Sequence, residues 1–199
     1  MKRSIYKADI AGGSLKLHES RVIAELLLRN IPEPEMRRLI IEENILQKRS
    51  PSTALRQASL IQSRLKLMTP ALWSLVKDGA KDTAMHALLA SAVKHSPLFA
   101  EFMNRVVRER FRTFQFDLPR KLWAEYVESL QNEDPNMPVW NESTIKKLGD
   151  SAFQIIKESG FISDTRAYRL QPVQIAPEVL AYLRDTAQND IIKRLQVTL

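Results

Sequence analysis

Apolar residues recur at three- and four-residue intervals along most of this chain, and prolines punctuate the pattern. The first periodic run ends near Asn30, with Ser14 or Ser20 as its N-cap. Pro32 and Pro34 break it, and a second run over 35–47 carries Met36, Leu39, Ile40 and Ile45 on its apolar side. The third predicted helix, 50–68, has the clearest start. Ser50 suits the cap, and Pro51 suits the first helical position, where its missing N–H would be unsatisfied in any case. At 100° per residue Ala54, Ala58, Ile61 and Leu65 fall on one face, and Ser52, Arg56, Ser59 and Ser63 on the other. Helices over 70–77, 78–95 and 96–112 follow. The middle one is apolar enough, through Ala84, Leu88, Leu89, Ala92 and Val93, to be the central helix of the fold.

The pattern changes near Phe116. A helix opens in "DLPRKLWAEYVESL", a proline-containing connector follows, and Ile145, Leu148, Ala152 and Ile155 then align on one face. That segment reads either as one long helix or as two helices with a turn at Gly149, and Gly160 fits its C-terminal cap. Residues 161–175 alternate and are rich in β-branched side chains, as in a short hairpin turning at "SDTRA", and Pro177 starts a last helix. The expected fold is mostly α and multi-helical, with helix-turn-helix or winged-helix-like elements and a short β-hairpin near the C-terminus. Its expected division is a basic helical part, 1–116, and a winged-helix-like part, 117–199.

Charge sharpens this division. The net charge is +7, yet residues 1–116 hold 20 Lys and Arg against 11 Asp and Glu, while 117–199 hold 10 against 12. No acid occurs between Asn44 and Lys77, a stretch that contains Lys48, Arg49, Arg56, Arg64 and Lys66. Such an acid-free basic segment is the footprint of a polyanion binder, and equally of a plain solvated cationic face. Arg105, Arg108 and Arg112 at i, i+3 and i+7 form a second basic stripe, and Arg166 and Arg169 supply the phosphate partners of the hairpin. The helix preceding that hairpin carries Asp150 and Glu158 beside Lys157, so a winged helix here suits protein contact at least as well as DNA reading.

Other chemistries find no support. Cysteine is absent, and His18, His86 and His95 lie far apart without a paired metal-binding spacing, so neither a metal nor another cofactor is expected. His86 and His95 read as structural residues on an apolar helix. No phosphate-binding, dinucleotide or nucleophile-elbow glycine motif occurs; "AGGSLK" lacks the glycine spacing and the Lys-Ser/Thr pair of a P-loop and reads as a flexible turn. Trp73, Trp123 and Trp140 sit among leucines at helical spacing, as core anchors do, although indoles also stack on bases. The apolar run 22–28 is far too short to cross a bilayer, and no secretory signal pattern opens the chain, so a cytoplasmic protein without a membrane partner is expected.

Six fragments taken together are more specific than any single motif. "AGGSLKLHESRVIAELLL", "ENILQKRSPSTALRQASLIQSRLKLM", "ALLASAVKH", "DPNMPVWNESTIKKL", "SDTRAY" and "LQPVQIAPEVLAYL", in this order over nearly the whole chain, resemble the BrxA family of bacterial BREX phage-defence systems. The resemblance implies a small, mostly helical protein similar to the antitermination factor NusB, with helix-turn-helix or winged elements and the ability to bind double-stranded DNA. It implies no enzymatic activity, and partners within the system: a methyltransferase, a phosphatase-like protein and ATPases. It supplies no residue set, so contacts are nominated by chemistry. Lys48, Arg49, Arg56, Arg64 and Lys66 are the candidate phosphate contacts, with Ser52 and Thr53 as helix-start hydroxyls. Arg105, Arg108 and Arg112 stand second. Reversing both Arg56 and Arg64 to glutamate is expected to weaken duplex binding without changing the melting temperature. An RNA-binding factor and a protein scaffold are the alternatives.

Overall fold

A computed structural model describes residues 4–164 and 166–198. The chain runs through α1 (Leu17–Leu28), α2 (Glu33–Ile41), α3 (Pro51–Leu65), α4 (Pro70–Asp78), α5 (Lys81–His95) and α6 (Pro97–Phe102). A π-helical turn (Met103–Val107) joins α6 to α7 (Arg108–Arg112). Then come α8 (Lys121–Glu133), α9 (Glu142–Glu158), β1 (Ile162–Asp164), β2 (Arg169–Leu170), α10 (Pro177–Asp185) and α11 (Asn189–Leu195). The fold is mostly α with a short two-stranded antiparallel sheet near the C-terminus, as the periodicity predicts.

Helix α5 is central because its sequence allows burial on every side: all residues from Thr83 to Val93 are buried. Helices α1, α3, α4, α10 and α11 pack around it. One continuous apolar cluster runs from Ile10 to Val197 and takes in side chains from both parts of the chain. His86 lies inside it, with its Nδ1 accepting a hydrogen bond from the backbone N–H of Ala176 at 3.1 Å. Burial holds this imidazole below its usual pKa, so the neutral form is native. The unfolded chain therefore binds a proton more readily than the native one. Stability is complete above the unfolded value of about 6.5 and is lost as pH falls towards the depressed native value. Urea midpoints measured from about pH 8 down to pH 5 are expected to fall, and His86→Asn, which keeps an acceptor facing Ala176, to flatten the decline.

Several boundaries differ from the sequence reading. Neither Ser14 nor Ser20 caps α1. Lys16 occupies the N-cap position at a φ of 50° with no side-chain cap, and Ser20, buried inside the helix, donates its hydroxyl to Leu15 O at 2.9 Å. Helix α9 passes through Gly149 unbroken. It ends in a Schellman motif: Gly160, at a φ of 87°, donates to Lys157 O, and Phe161 N–H to Ile156 O. Helix α11, too short for its periodicity to register, was not anticipated. The extended residues after α7 join the sheet, since Asp117 bridges Arg169, Leu118 N–H donates to Tyr168 O, and Leu170 N–H to Phe116 O. Of the expected turn "SDTRA", Thr165 lies outside the described residues.

Candidate nucleic-acid interface

Helix α3 is organised as its sequence requires. The Ser50 hydroxyl accepts from Thr53 N–H at 3.3 Å and donates to Thr53 Oγ1 at 2.9 Å, so two of the hydroxyls at this helix start are engaged in capping. Ala54, Ala58, Ile61 and Leu65 are buried, whereas Ser52, Arg56, Ser59 and Ser63 are exposed. Two clefts flank this polar ridge. One, of about 490 Å3, lies between α2 and α3 and adds Arg37 and Lys66; the other, of about 260 Å3, lies against Ala11 and Gly12 and adds Arg56. Ser59 and Ser63 line both. Short hydroxyl side chains beside a guanidinium permit close approach of a phosphate backbone.

Arg64 does not lie on the exposed face expected of it. It is 3% exposed and faces the interior. On the helical wheel it lies only 60° from Ile61, at the margin of the apolar face, and the segment 9–15 folds over it. Its guanidinium donates to Ser14 O at 2.9 Å, while its Nε and second terminal nitrogen have no hydrogen-bond partner among the described residues. Burial pushes its pKa down to about 10, against the pull of Asp9 and Glu158, so it stays charged at neutral pH. The arm above it is held at several points. Ser96 donates to Asp9 at 2.5 Å, Gly12 N–H to Ser151 Oγ at 3.0 Å, and Leu15 N–H to Glu158 Oε2 at 2.6 Å. A Cβ on Gly13 would stand 2.5 Å from the Arg64 guanidinium and 2.9 Å from Ile10 O. The glycine pair is therefore a close-packed strap joining α3 to α9; only Gly12 uses a positive φ, of 70°.

The other nominated cations divide by their partners. Lys48 pairs with Glu19, and Lys66 with Glu33 at 3.4 Å. Arg105 holds both Glu101 and Glu133, Arg112 reaches Glu109, and Arg108 is half-buried against Asn104. The π turn inserts a residue into the helical register between Arg105 and Arg108, which disturbs the expected stripe, and acids balance two of its three members. Arg49, Arg56 and Arg169 are exposed, with no carboxylate within 4 Å among the described residues; Arg166 is exposed on the hairpin turn. Sequence reasoning passed over Arg37, which reaches the cleft only because α2 packs on α3. Lys16 sits at the start of α1 beside Lys48 and Arg56. Burial lowers its pKa, the two cations lower it further, and Glu19 and Glu158 oppose them.

A family model of BrxA matches residues 4–187. The chain belongs to the BrxA family. It is 50% identical over 194 residues to the "BREX protein BrxA" of Paramagnetospirillum magneticum, covering 98% of both chains. It is 35% identical to the protein of that name from Escherichia coli O9:H4, covering 94% of this chain and 88% of the relative. A crystal structure of an uncharacterized protein from Magnetospirillum magneticum superposes with a TM-score of 0.91 at 47% identity, covering 98% of this chain and all of that one. Among the described residues of this BrxA family member no His, Asp or Glu cluster could hold a metal, and no helix is long and apolar enough to cross a membrane. Trp123 and Trp73 spend their indole N–H groups on Ile145 O at 2.9 Å and Leu65 O at 2.7 Å, as anchors within the fold.

Proposed function

We propose that this member of the BrxA family is a non-enzymatic component of BREX phage defence that binds double-stranded DNA, mainly through phosphates and with weak sequence selectivity, in the cytoplasm. The observation that carries the reading is the outer face of α3: Arg56 stands among Ser52, Ser59 and Ser63 with no carboxylate within 4 Å among the described residues, within a stretch of chain that contains no acid. Arg37 and Arg49 extend the positive surface to either side. Hydroxyl and guanidinium groups on a helix bordered by two clefts can follow a sugar-phosphate backbone. In this reading 1–116 is the polyanion-binding part, built on a NusB-like helical core. The part 117–199 is winged-helix-like, a view supported by its order of extended segment, α8, α9 and hairpin, with the extended segment paired to the second strand.

The test is fluorescence anisotropy with a labelled DNA duplex across a salt series, with duplex RNA and single strands as competitors. The logarithm of the affinity should fall with that of salt by about 0.9 for each phosphate neutralised. Arg56→Glu should weaken binding uniformly across DNA sequences and reduce the magnitude of that slope by about 1, leaving the melting temperature unchanged. An unaltered affinity and slope would move the site off α3. Tighter binding to duplex RNA would point to an RNA-binding factor instead.

A further inference from the structure

Residues of α8 and α9, with Arg120 at the start of α8, line an open cleft of about 430 Å3. Its floor is apolar: Trp123 and Ala124 from α8, and Ile145, Gly149 and Phe153 from α9. The floor can lie so deep because Gly149 brings α9 onto the indole of Trp123, where a Cβ would come within 2.8 Å of the ring. The rim has the opposite character. Arg120 stacks its guanidinium over Phe153 and Tyr168, at 5.4 and 5.5 Å from their centroids, and is fixed by the Tyr168 hydroxyl and Asp150. Lys121 pairs loosely with Glu125, two largely exposed side chains, and Lys146 is exposed with no acid within 4 Å among the described residues. Glu142 is the one acid among the described residues that line the cleft.

We propose that this cleft docks a partner protein through an acidic segment carrying one or two bulky apolar side chains, which fill the floor while its carboxylates meet Lys146 and the exposed Lys121, Arg120 being already held by Asp150. A phosphate backbone would use the rim and leave the apolar floor open to water, whereas an acidic apolar peptide satisfies both at once. The inference is independent of the α3 surface, which carries no part of this cleft.

The test places a photo-crosslinking p-benzoylphenylalanine at Ala124, an exposed floor position, in the full-length protein expressed with its complete defence system, and sequences the crosslinked material. The expected product is a segment of another protein rich in Asp and Glu around large apolar residues. Lys146→Glu in the same protein should reduce its yield at least fivefold, with thermal melting unchanged in both variants. Crosslinks to nucleic acid, crosslinks to a second copy of this chain, no crosslink at all, or a yield indifferent to Lys146→Glu would each overturn the proposal. Duplex affinity measured on the Lys146→Glu protein separates the two surfaces, because loss of peptide docking with unchanged DNA binding is the expected pattern.

Discussion

Arg64→Glu is expected to destabilise the fold by about 3–5 kcal/mol, seen as a large fall in the urea midpoint or as insoluble protein. The substitution removes the bond to Ser14 O and buries a carboxylate in the field of Asp9 and Glu158, which are acidic and already near enough to act on the native guanidinium. Like charges held close in a desolvated site cannot all ionise cheaply. Arg64→Met is the informative companion. It keeps the long, unbranched shape, removes two buried nitrogens that lack hydrogen-bond partners, and sacrifices one hydrogen bond, so it should stay within about 1 kcal/mol of the native protein. A glutamate variant that melts like the native protein would show that Arg64 faces solvent. The expectation that Arg56 and Arg64 could be reversed together without thermal cost is thereby replaced: only Arg56 is available to a ligand.

Gly149→Val should cost about 2–3 kcal/mol, although valine is a better residue than glycine for a helix interior. The new side chain would enter the ring of Trp123, which is 2% exposed and tied by its indole N–H to Ile145 O of α9, one turn before Gly149. Neither partner can yield alone. Either α8 and α9 separate, opening the Phe102, Tyr126 and Phe153 cluster around them, or the indole leaves its carbonyl. Equilibrium urea unfolding measures the loss, and a red shift in tryptophan emission reports a wetter Trp123. Trp123→Leu should relieve part of the clash in the double variant, so the two costs should not add. Additive costs would mean that the helices do not meet at this glycine.

Much of the helical order was legible because local chemistry dictates it. Pro51, Pro70, Pro97 and Pro177 each stand in the first turn of a helix, and Ser50 and Ser96 cap theirs through Thr53 and Phe99 N–H. Gly160 closes α9 in the way a residue without a Cβ permits. The start of α1 was misread for the converse reason. Ser14 and Ser20 are good caps in isolation, but Ser14 lends its carbonyl to Arg64 and Ser20 turns inward to Leu15, so long-range packing displaced the local preference.

The candidate site was less legible. Counting cations between Asn44 and Lys77 locates a basic stretch without saying which charges are spent. Glu19 and Glu33 lie outside that stretch in sequence and return to it in space, where they engage Lys48 and Lys66. The basic stripe around Arg105 was read on a uniform helix, and a π turn together with Glu133, 28 residues away, altered both its register and its charge. Arg37, a neighbour of Lys66 in the α2–α3 cleft with no carboxylate within 4 Å among the described residues, carries no signal of its own in the sequence beyond the adjacent Arg38.

The periodic helices, the central apolar helix, the C-terminal hairpin, the basic bias of residues 1–116 and, through six ordered fragments, the family are legible in the chain read along its length. These follow from propensity, spacing and composition, which act over a few residues at a time or over the whole chain at once. Only the closed fold makes Arg64 a buried strut beneath the Gly12–Gly13 strap, leaves Arg56 without a carboxylate within 4 Å among the described residues, and sets Lys121 and Lys146 around an apolar cleft between α8 and α9. Those outcomes depend on which distant groups share a low-dielectric space or a surface, and burial and charge pairing between segments far apart in the chain are set only when the chain has closed on itself.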